Sequence, residues 1–141
     1  MRDSWDQYFA KLASVAATRA TCTRLHVGAV IVRDRQIIAT GYNGSVRGAP
    51  HCDDRGCIVI DGHCIATVHA EANAIISAAR NGHSTEFATM YITHNPCLSC
   101  YKMMHQAGIK RVVFSELYKE VDYALLGIND NQAMQIIQLK T

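Results

Sequence analysis

The first part of the chain pairs one amphipathic segment with two short apolar runs. From Asp3 onward apolar side chains recur every three or four residues, and Ser4 precedes them as a candidate N-cap. This pattern predicts a helix that ends near Thr21. The runs VGAVIV (27–32) and QIIATGY (36–42) are rich in β-branched residues and are separated only by RDR. They predict an antiparallel hairpin.

A loop and a second helix follow. Residues 43–66 concentrate Gly, Asn, Asp and Pro, which predicts a long loop. The alanine-rich stretch that opens with TVHAEANAI (67–75) predicts a helix that continues to Arg80. Asn81 or Gly82 can end it in the left-handed conformation.

The remainder of the chain predicts alternating strands and helices. ATMYIT (88–93) and KRVVFS (110–115) predict strands, and PCLSCYKMMHQAG (96–108) predicts a helix between them. A strand, helix and strand of this length form a parallel crossover. ELYKEVDYALLGIND (116–130) predicts a further helix, and MQIIQL (134–139) predicts a fifth, parallel strand. We therefore expect one α/β domain over residues 1–141, with a mixed five-stranded sheet and an antiparallel first hairpin.

Composition limits the classes of function. The 141 residues are 49% hydrophobic and 18% charged, which suits one domain with a real core. Fourteen basic and twelve acidic residues give a net charge of +2, and the absence of a long Lys/Arg run disfavours a nucleic-acid partner. No stretch of sequence resembles a signal peptide or a membrane span, so we expect a cytoplasmic protein. In that reducing compartment the six cysteines are expected to be thiols or metal ligands.

Three residues have the spacing of a catalytic zinc site. Cys97 and Cys100 are three positions apart at the start of one predicted helix, and His69 opens another. Zinc favours thiolate and imidazole ligands, and catalytic sites keep a fourth position for water. The positive ends of the helices favour thiolates. If the crossover brings the two helix starts together, these residues can share one ion.

Glu71 fits the same chemistry. Two thiolates and a neutral histidine cancel the zinc charge, so a nearby carboxylate is needed to take a proton from water and return it to a leaving amine. His-x-Glu followed by Pro-Cys-x-x-Cys is the signature of zinc deaminases. Each half alone has ordinary alternatives. His69 and Glu71 could be polar residues of a core helix, and the cysteine pair could be redox-active or structural.

The motifs resemble a known family when they are taken in order. TCTRLHVGAVIV, GYNGS, HCDDRGC, DGHC, TVHAEANAI, THNPCLSC and AGIKRVVF are similar to the small deoxycytidylate deaminases of bacteria and their phages. The resemblance runs from about Trp5 to Leu126. It implies the three-layer cytidine-deaminase fold, with helices on both faces of the sheet. It also implies hydrolytic deamination of dCMP to dUMP, the precursor of dTMP.

The resemblance assigns roles to particular residues. It implies that His69, Cys97 and Cys100 hold zinc and that Glu71 moves the proton. Asn43 would contact the sugar, although it could also be a turn residue before Gly44. The Ala70 amide would contact the base carbonyl. Tyr118, Lys102 and Arg24 are candidates for binding the phosphate.

The other cysteines raise the question of a second metal. A loop of this length needs something to order it, and some members of the family carry a second, structural zinc there. Cys22 and Cys52 correspond to two of its ligands. Cys57, His63 and Cys64 are candidates for the rest. The alternative is an apolar cluster of thiols without metal.

Only the resemblance to the family suggests how the protein is regulated and assembled. Members of the family are typically hexamers, activated by dCTP and inhibited by dTTP at a site near GYNGS, and Mg²⁺ can accompany such a triphosphate. The effector candidates are Gly41, Gly44, Ser45, Arg19 and Arg24. Asn95 departs from the family, in which a bulky apolar residue often precedes the proline.

Three other functions share parts of this pattern. A deaminase of dCTP, cytidine, guanine or tRNA adenosine would carry the same zinc signature. A non-catalytic zinc module linked to DNA uptake is a second alternative. A thiol oxidoreductase that uses Cys97 and Cys100 is a third.

Overall fold

A computed structural model describes residues 1–140 of the chain. Four α-helices and nine strands alternate along it, with one 3-10 turn near the end. The helices are α1 (Trp5–Ala17), α2 (Cys52–Arg55), α3 (Ala70–Arg80) and α4 (Leu98–Gln106), and the 3-10 turn is Tyr123–Leu126. The strands are β1 (Gly28–Arg33), β2 (Gln36–Tyr42), β3 (Gly44–Ser45), β4 (Val59–Ile60), β5 (His63–Cys64), β6 (Thr67–Val68), β7 (Thr89–His94), β8 (Arg111–Glu116) and β9 (Gln135–Gln138).

Five of the strands form one mixed sheet in the order β2-β1-β7-β8-β9. The β1–β2 hairpin is antiparallel, and β1 also pairs antiparallel with β7. The pairs β7–β8 and β8–β9 are parallel. Strand β7, helix α4 and strand β8 are therefore the predicted crossover, and the start of α4 lies at the end of β7.

Helices cover both faces of the sheet. On one face Phe9 and Ala13 of α1 pack against Val30 and Val32 of β1. On the other, α3 and α4 pack against the alternate residues, such as Ile31, in a larger core. The two-residue period of β1 places successive apolar side chains in different layers, which explains why the whole strand is apolar.

The sequence-based predictions are confirmed for most of the fold. Ser4 caps α1 in a capping box with Gln7, as Ser4 was expected to do. The mixed five-stranded sheet, its antiparallel first hairpin, the helices on both faces and the parallel fifth strand are all present. Within residues 1–140, no helix has the length and apolar character needed to cross a membrane.

Two segments differ from prediction. The helix predicted over 116–130 is wrong, because only the four-residue turn Tyr123–Leu126 forms there. Gly127 ends that turn in the left-handed conformation. The side chain of Asn95, which directly follows β7, bonds the backbone that precedes the turn. The loop over 43–66 is not structureless. It contains α2 and the small β4–β5 hairpin, and β3 pairs with β6.

Candidate active site

The starts of α3 and α4 lie at one end of the sheet. His69 is the N-cap residue of α3 and Cys97 is the N-cap residue of α4, yet neither side chain caps its own helix. The imidazole and the thiol are therefore free for another partner. Cys100 lies in the first turn of α4 and is buried. Sequence spacing and the crossover together bring the three side chains to one place.

The distances between the three ligand atoms suit a metal ion. His69 Nδ1 lies 3.3 Å from Cys100 Sγ and 3.7 Å from Cys97 Sγ. All three atoms lie within 4.8 Å of one another. Tetrahedral zinc at its usual bond lengths places nitrogen and sulfur ligands about 3.6 Å apart. The donor set fits zinc, and three protein ligands leave one coordination position for another group.

Electrostatics within the cluster also favour a cation. Hydrogen bonds with Cys100 and His69 lower the pKa of Cys97 to about 4. The hydrogen bond with Cys97, together with burial, raises the pKa of Cys100. The hydrogen bond to Cys97 raises the pKa of His69. Without a metal, these groups compete for protons. A divalent cation relieves that competition, because it binds the thiolate forms.

Glu71 lies beside this cluster in the first turn of α3. It is 5% exposed, and burial raises the pKa of its carboxyl. Acidic side chains are almost never this buried unless they are paired or functional. A carboxyl with a raised pKa can both accept and return a proton near neutral pH.

Two predicted substrate contacts have defined surroundings. Asn43 is buried, and its side chain already bonds a neighbouring loop: Oδ1 accepts from the Val27 amide at 2.8 Å and Nδ2 donates to the Leu25 carbonyl at 2.6 Å. One amide hydrogen and one oxygen lone pair remain for another partner. Ala70 is the first residue of α3, so its amide has no acceptor within the helix.

The three residues suggested to bind the substrate phosphate lie in different parts of the structure. Tyr118 is 62% exposed, and its ring meets the His94 ring edge-on at a centroid distance of 6.2 Å. Lys102 is exposed on α4. Arg24 donates to the carbonyl of Gly62 at 3.3 Å. Of the three, Tyr118 follows the strand next to the one that leads into Cys97.

Sequence reasoning missed Asn73 and Tyr123. Asn73 Nδ2 donates to the carbonyls of Tyr42 and Val68, so it ties α3 to the end of β2. It lies one helical turn after His69, and that spacing could have drawn attention to it. Tyr123 donates from its hydroxyl to the carbonyl of Pro96. No sequence signal connects these two residues, which are 27 positions apart.

A second thiol cluster lies in the loop that precedes α3. The sulfur atoms of Cys52, Cys57 and Cys64 lie within 4.8 Å of one another, and Cys52 Sγ is 3.8 Å from Cys64 Sγ. Burial raises the pKa of Cys52 to about 12. Burial opposes ionisation of Cys64 too, but the backbone amides of Ala66 and Ile58 lower its pKa to about 7. Cys22 and His63 lie outside this group.

The predicted effector residues are not all in one place. Gly44 and Ser45 line an open cleft of about 560 Å³, together with Arg47, Gly48 and other residues of the loop. The Ser45 hydroxyl is buried there without a hydrogen-bond partner among the described residues. Arg19 and Arg24 do not line the cleft. Gly41 lies against α3, where a side chain would meet the backbone of Ala70 and Ala74.

Comparisons with known proteins agree with this site. Residues 3–116 match the model of a protein family described as the cytidine and deoxycytidylate deaminase zinc-binding region. ComE operon protein 2 of Bacillus subtilis is 52% identical over 123 residues, which is 87% of this chain and 65% of that protein. The deoxycytidylate deaminase of Saccharomyces cerevisiae is 44% identical over 125 residues, 84% of this chain and 40% of the yeast protein. The chain therefore spans less than two thirds of the length of these relatives.

One solved structure supports the comparison. The dCMP deaminase of the cyanophage S-TIM5, crystallised with dCMP and dUMP, superposes with a TM-score of 0.82 over 99% of each chain, at 28% identity. The cytidine-deaminase fold that the sequence motifs implied is confirmed.

Proposed function

Since this chain belongs to the family of cytidine and deoxycytidylate deaminases, we propose that it is a zinc-dependent hydrolase that converts dCMP to dUMP. The observation that carries the proposal is the convergence of His69, Cys97 and Cys100 beside the buried carboxyl of Glu71. The similarity to the cyanophage enzyme, which was crystallised with dCMP and dUMP, supports the choice of substrate.

The residues have distinct roles in this reaction. His69, Cys97 and Cys100 would hold zinc, which supplies a Lewis acid that lowers the pKa of water. Glu71 accepts a proton from the attacking water and passes it to ring nitrogen N3 of the base, and it then passes the remaining hydroxyl proton to the leaving amine. The water oxygen becomes the new carbonyl of the base, and the amino group departs as ammonia. The Ala70 amide can orient the base, Asn43 the sugar, and Tyr118 the phosphate.

The substrate can be tested directly. Purified chain with its zinc content measured is offered dCMP, dCTP, cytidine and guanine, and ammonia release is followed. We expect turnover with dCMP in preference to the other three. Turnover of guanine or cytidine with none of dCMP would replace the proposed substrate, and a reversible Cys97–Cys100 disulfide in place of bound zinc would point to an oxidoreductase instead.

We also propose that Cys52, Cys57 and Cys64 bind a second, structural zinc. The three sulfur atoms are close enough for one ion, and the loop around them contains only short elements. Cys57→Ser is expected to lower the zinc content from about two ions per chain to about one. Cys22→Ser is the matched control, because this buried thiol lies outside the group and the content should stay at two. Wild-type protein with one zinc would refute the second site.

We also propose a regulatory site. The cleft lined by Gly44 and Ser45 is where we expect dCTP to activate and dTTP to inhibit, with Mg²⁺ on the triphosphate. Arg47 lines the same cleft and can balance phosphate charge. We further propose that the chain is one catalytic domain, that it assembles as a homohexamer and that it acts in the cytoplasm on nucleotides and not on nucleic acid. Sedimentation of the protein with and without dCTP tests the assembly.

A further inference from the structure

Asn95 occupies a buried position between β7 and Pro96, where it bonds a distant segment. It is 9% exposed, and its Oδ1 accepts hydrogen bonds from the amides of Tyr118 at 2.8 Å and Lys119 at 3.4 Å. Its Nδ2 donates to the Lys119 carbonyl at 2.6 Å. A buried amide side chain is costly unless its groups are paired, and here both are.

These hydrogen bonds hold a segment that has no regular secondary structure. The β7–β8 ladder ends at the pair His94 and Glu116, and residues 117–122 form neither helix nor strand. The Asn95 backbone amide still donates to Glu116 at 3.2 Å. The side chain then continues the connection for three more residues beyond the ladder. Asn95 therefore fixes a segment that the sheet itself does not hold.

The same side chain reaches Tyr123, which contacts the turn that leads into Cys97. Asn95 Nδ2 lies 3.3 Å from the Tyr123 hydroxyl, and that hydroxyl donates to the carbonyl of Pro96. The Tyr123 ring stacks on Tyr101 of α4, with centroids 4.5 Å apart and planes at 20°. Asn95 and Tyr123 together form a clamp between the β7–α4 turn and segment 117–123.

We propose that Asn95 is a positioning residue that holds segment 117–123 against the zinc site and so forms one wall of the substrate pocket. The inference rests on the proposed function, because it assumes that the pocket binds dCMP. Tyr118, which projects from this segment beside His94, is the side chain that the clamp places. Asn95 does not itself touch the reacting atoms. Its loss should therefore weaken substrate binding more than it slows the chemical step.

Asn95→Leu tests the clamp, because leucine has a similar volume and no amide. We expect the KM for dCMP to rise about tenfold and kcat to change less than about threefold, because the substitution removes the side-chain hydrogen bonds that hold segment 117–123. Zinc content should stay at the wild-type value. Asn95→Asp keeps the oxygen that accepts from Tyr118 and should recover part of the affinity. Asn81→Leu is the matched control, since Asn81 is an exposed asparagine at the far end of α3.

Hydrogen exchange of the Tyr118 and Lys119 amides gives a second readout that does not depend on turnover. Exchange should accelerate in Asn95→Leu and not in Asn81→Leu. Unchanged exchange, or a fall in kcat with unchanged KM, would overturn the proposal. If the wild-type chain releases no ammonia from dCMP, the proposed function fails separately. Calorimetric binding of dUMP then decides the inference, and equal affinity in wild type and Asn95→Leu would refute it.

Discussion

At the scale of single residues, the proposed chemistry depends on a buried carboxyl beside the three side chains that could hold a metal ion. Glu71 is nearly inaccessible, and burial raises the pKa of its carboxyl. An ionised or protonated carboxyl in that position is costly to maintain and contributes nothing to packing that a glutamine could not. The side chain is therefore explained by proton transfer better than by stability.

Glu71→Gln separates these two explanations. The change keeps the size of the side chain and removes its capacity to take a proton. We expect kcat for dCMP to fall by about 10³-fold or more, because general acid–base catalysis contributes on that order. Zinc content and unfolding temperature should remain close to wild type. Glu86→Gln is the control, since this exposed glutamate precedes β7 at the end opposite to the site. Full turnover by Glu71→Gln would overturn the assignment of Glu71 as the group that transfers the proton.

The residues of this site differ in how far the sequence could predict them. His69, Cys97 and Cys100 follow from motif spacing, because His69 and Cys97 open helices, Cys100 lies in the first turn of the second helix, and two helix starts can meet at one end of a crossover. Asn95 and Tyr123 could not be predicted as a clamp. Their bonds join positions more than 20 residues apart and involve backbone groups, which carry no sequence signal.

At the scale of elements, the position of α3 depends on a glycine in β2. A side chain at Gly41 would lie 2.3 Å from the Ala70 carbonyl oxygen and 2.5 Å from the Ala74 amide nitrogen. Both contacts are with backbone, so the helix itself would have to move. The resemblance implied that Gly41 is a candidate for effector binding. The structure shows a packing role for this glycine, because its close neighbour is the helix that begins at His69 and carries Glu71.

Gly41→Ala should therefore affect stability and activity together. We expect the free energy of unfolding to fall by about 1–3 kcal/mol from overpacking. We also expect kcat/KM per folded molecule to fall at least about tenfold, because small displacements of positioned groups are costly. Gly28→Ala is the matched control: its added carbon would meet the backbone of α1, which carries no site residue. Chemical unfolding and activity measured on both variants check this. Equal loss of activity per folded molecule in the two would contradict the assignment.

Physical reasons explain which secondary-structure elements the sequence predicts correctly and which it does not. Strong periodic patterns predicted α1, the first hairpin and the crossover correctly, since burial of an apolar face determines each of them. Segment 116–130 does have apolar residues at helical spacing, such as Leu117, Val121 and Leu125, but tertiary hydrogen bonds to Asn95 hold the backbone at Tyr118 and Lys119 outside a helix. The small strands of the 43–66 loop are too short to show any periodicity.

At the scale of the whole molecule, an ion pair joins two distant parts of the chain, the first helix and the fourth strand of the five-stranded sheet. Asp6 in α1 receives two hydrogen bonds from Arg111 in β8, at 2.9 and 2.7 Å, across 105 positions of sequence. The Tyr91 hydroxyl of β7 donates to the same carboxylate at 2.7 Å. The pair therefore attaches α1, which covers one face of the sheet, to strand β8, and the Tyr91 hydroxyl attaches it to the neighbouring central strand β7.

This pair predicts a defined dependence of stability on acid. The hydrogen bonds from Arg111 lower the pKa of Asp6 below its ordinary value of 3.8. The unfolded chain then binds this proton first as the pH falls. The stability contributed by Asp6 is complete above about pH 4 and is lost as the pH falls through the lower pKa of the folded state. At pH 7, Asp6→Asn should lower the free energy of unfolding by about 1–2 kcal/mol.

Urea unfolding of wild type and Asp6→Asn at pH 7 and at pH 3 measures the effect. The difference between the two proteins should shrink at pH 3, and loss of zinc in acid affects both alike. Asp3→Asn is the control just before the same helix, because the Asp3–Lys11 pair is 37% and 71% exposed whereas Asp6 and Arg111 are 29% and 27% exposed. Exposed pairs contribute little, so Asp3→Asn should change stability by less than about 0.5 kcal/mol. A difference for Asp6→Asn that is the same at both pH values would show that the carboxylate charge does not hold α1 to the sheet.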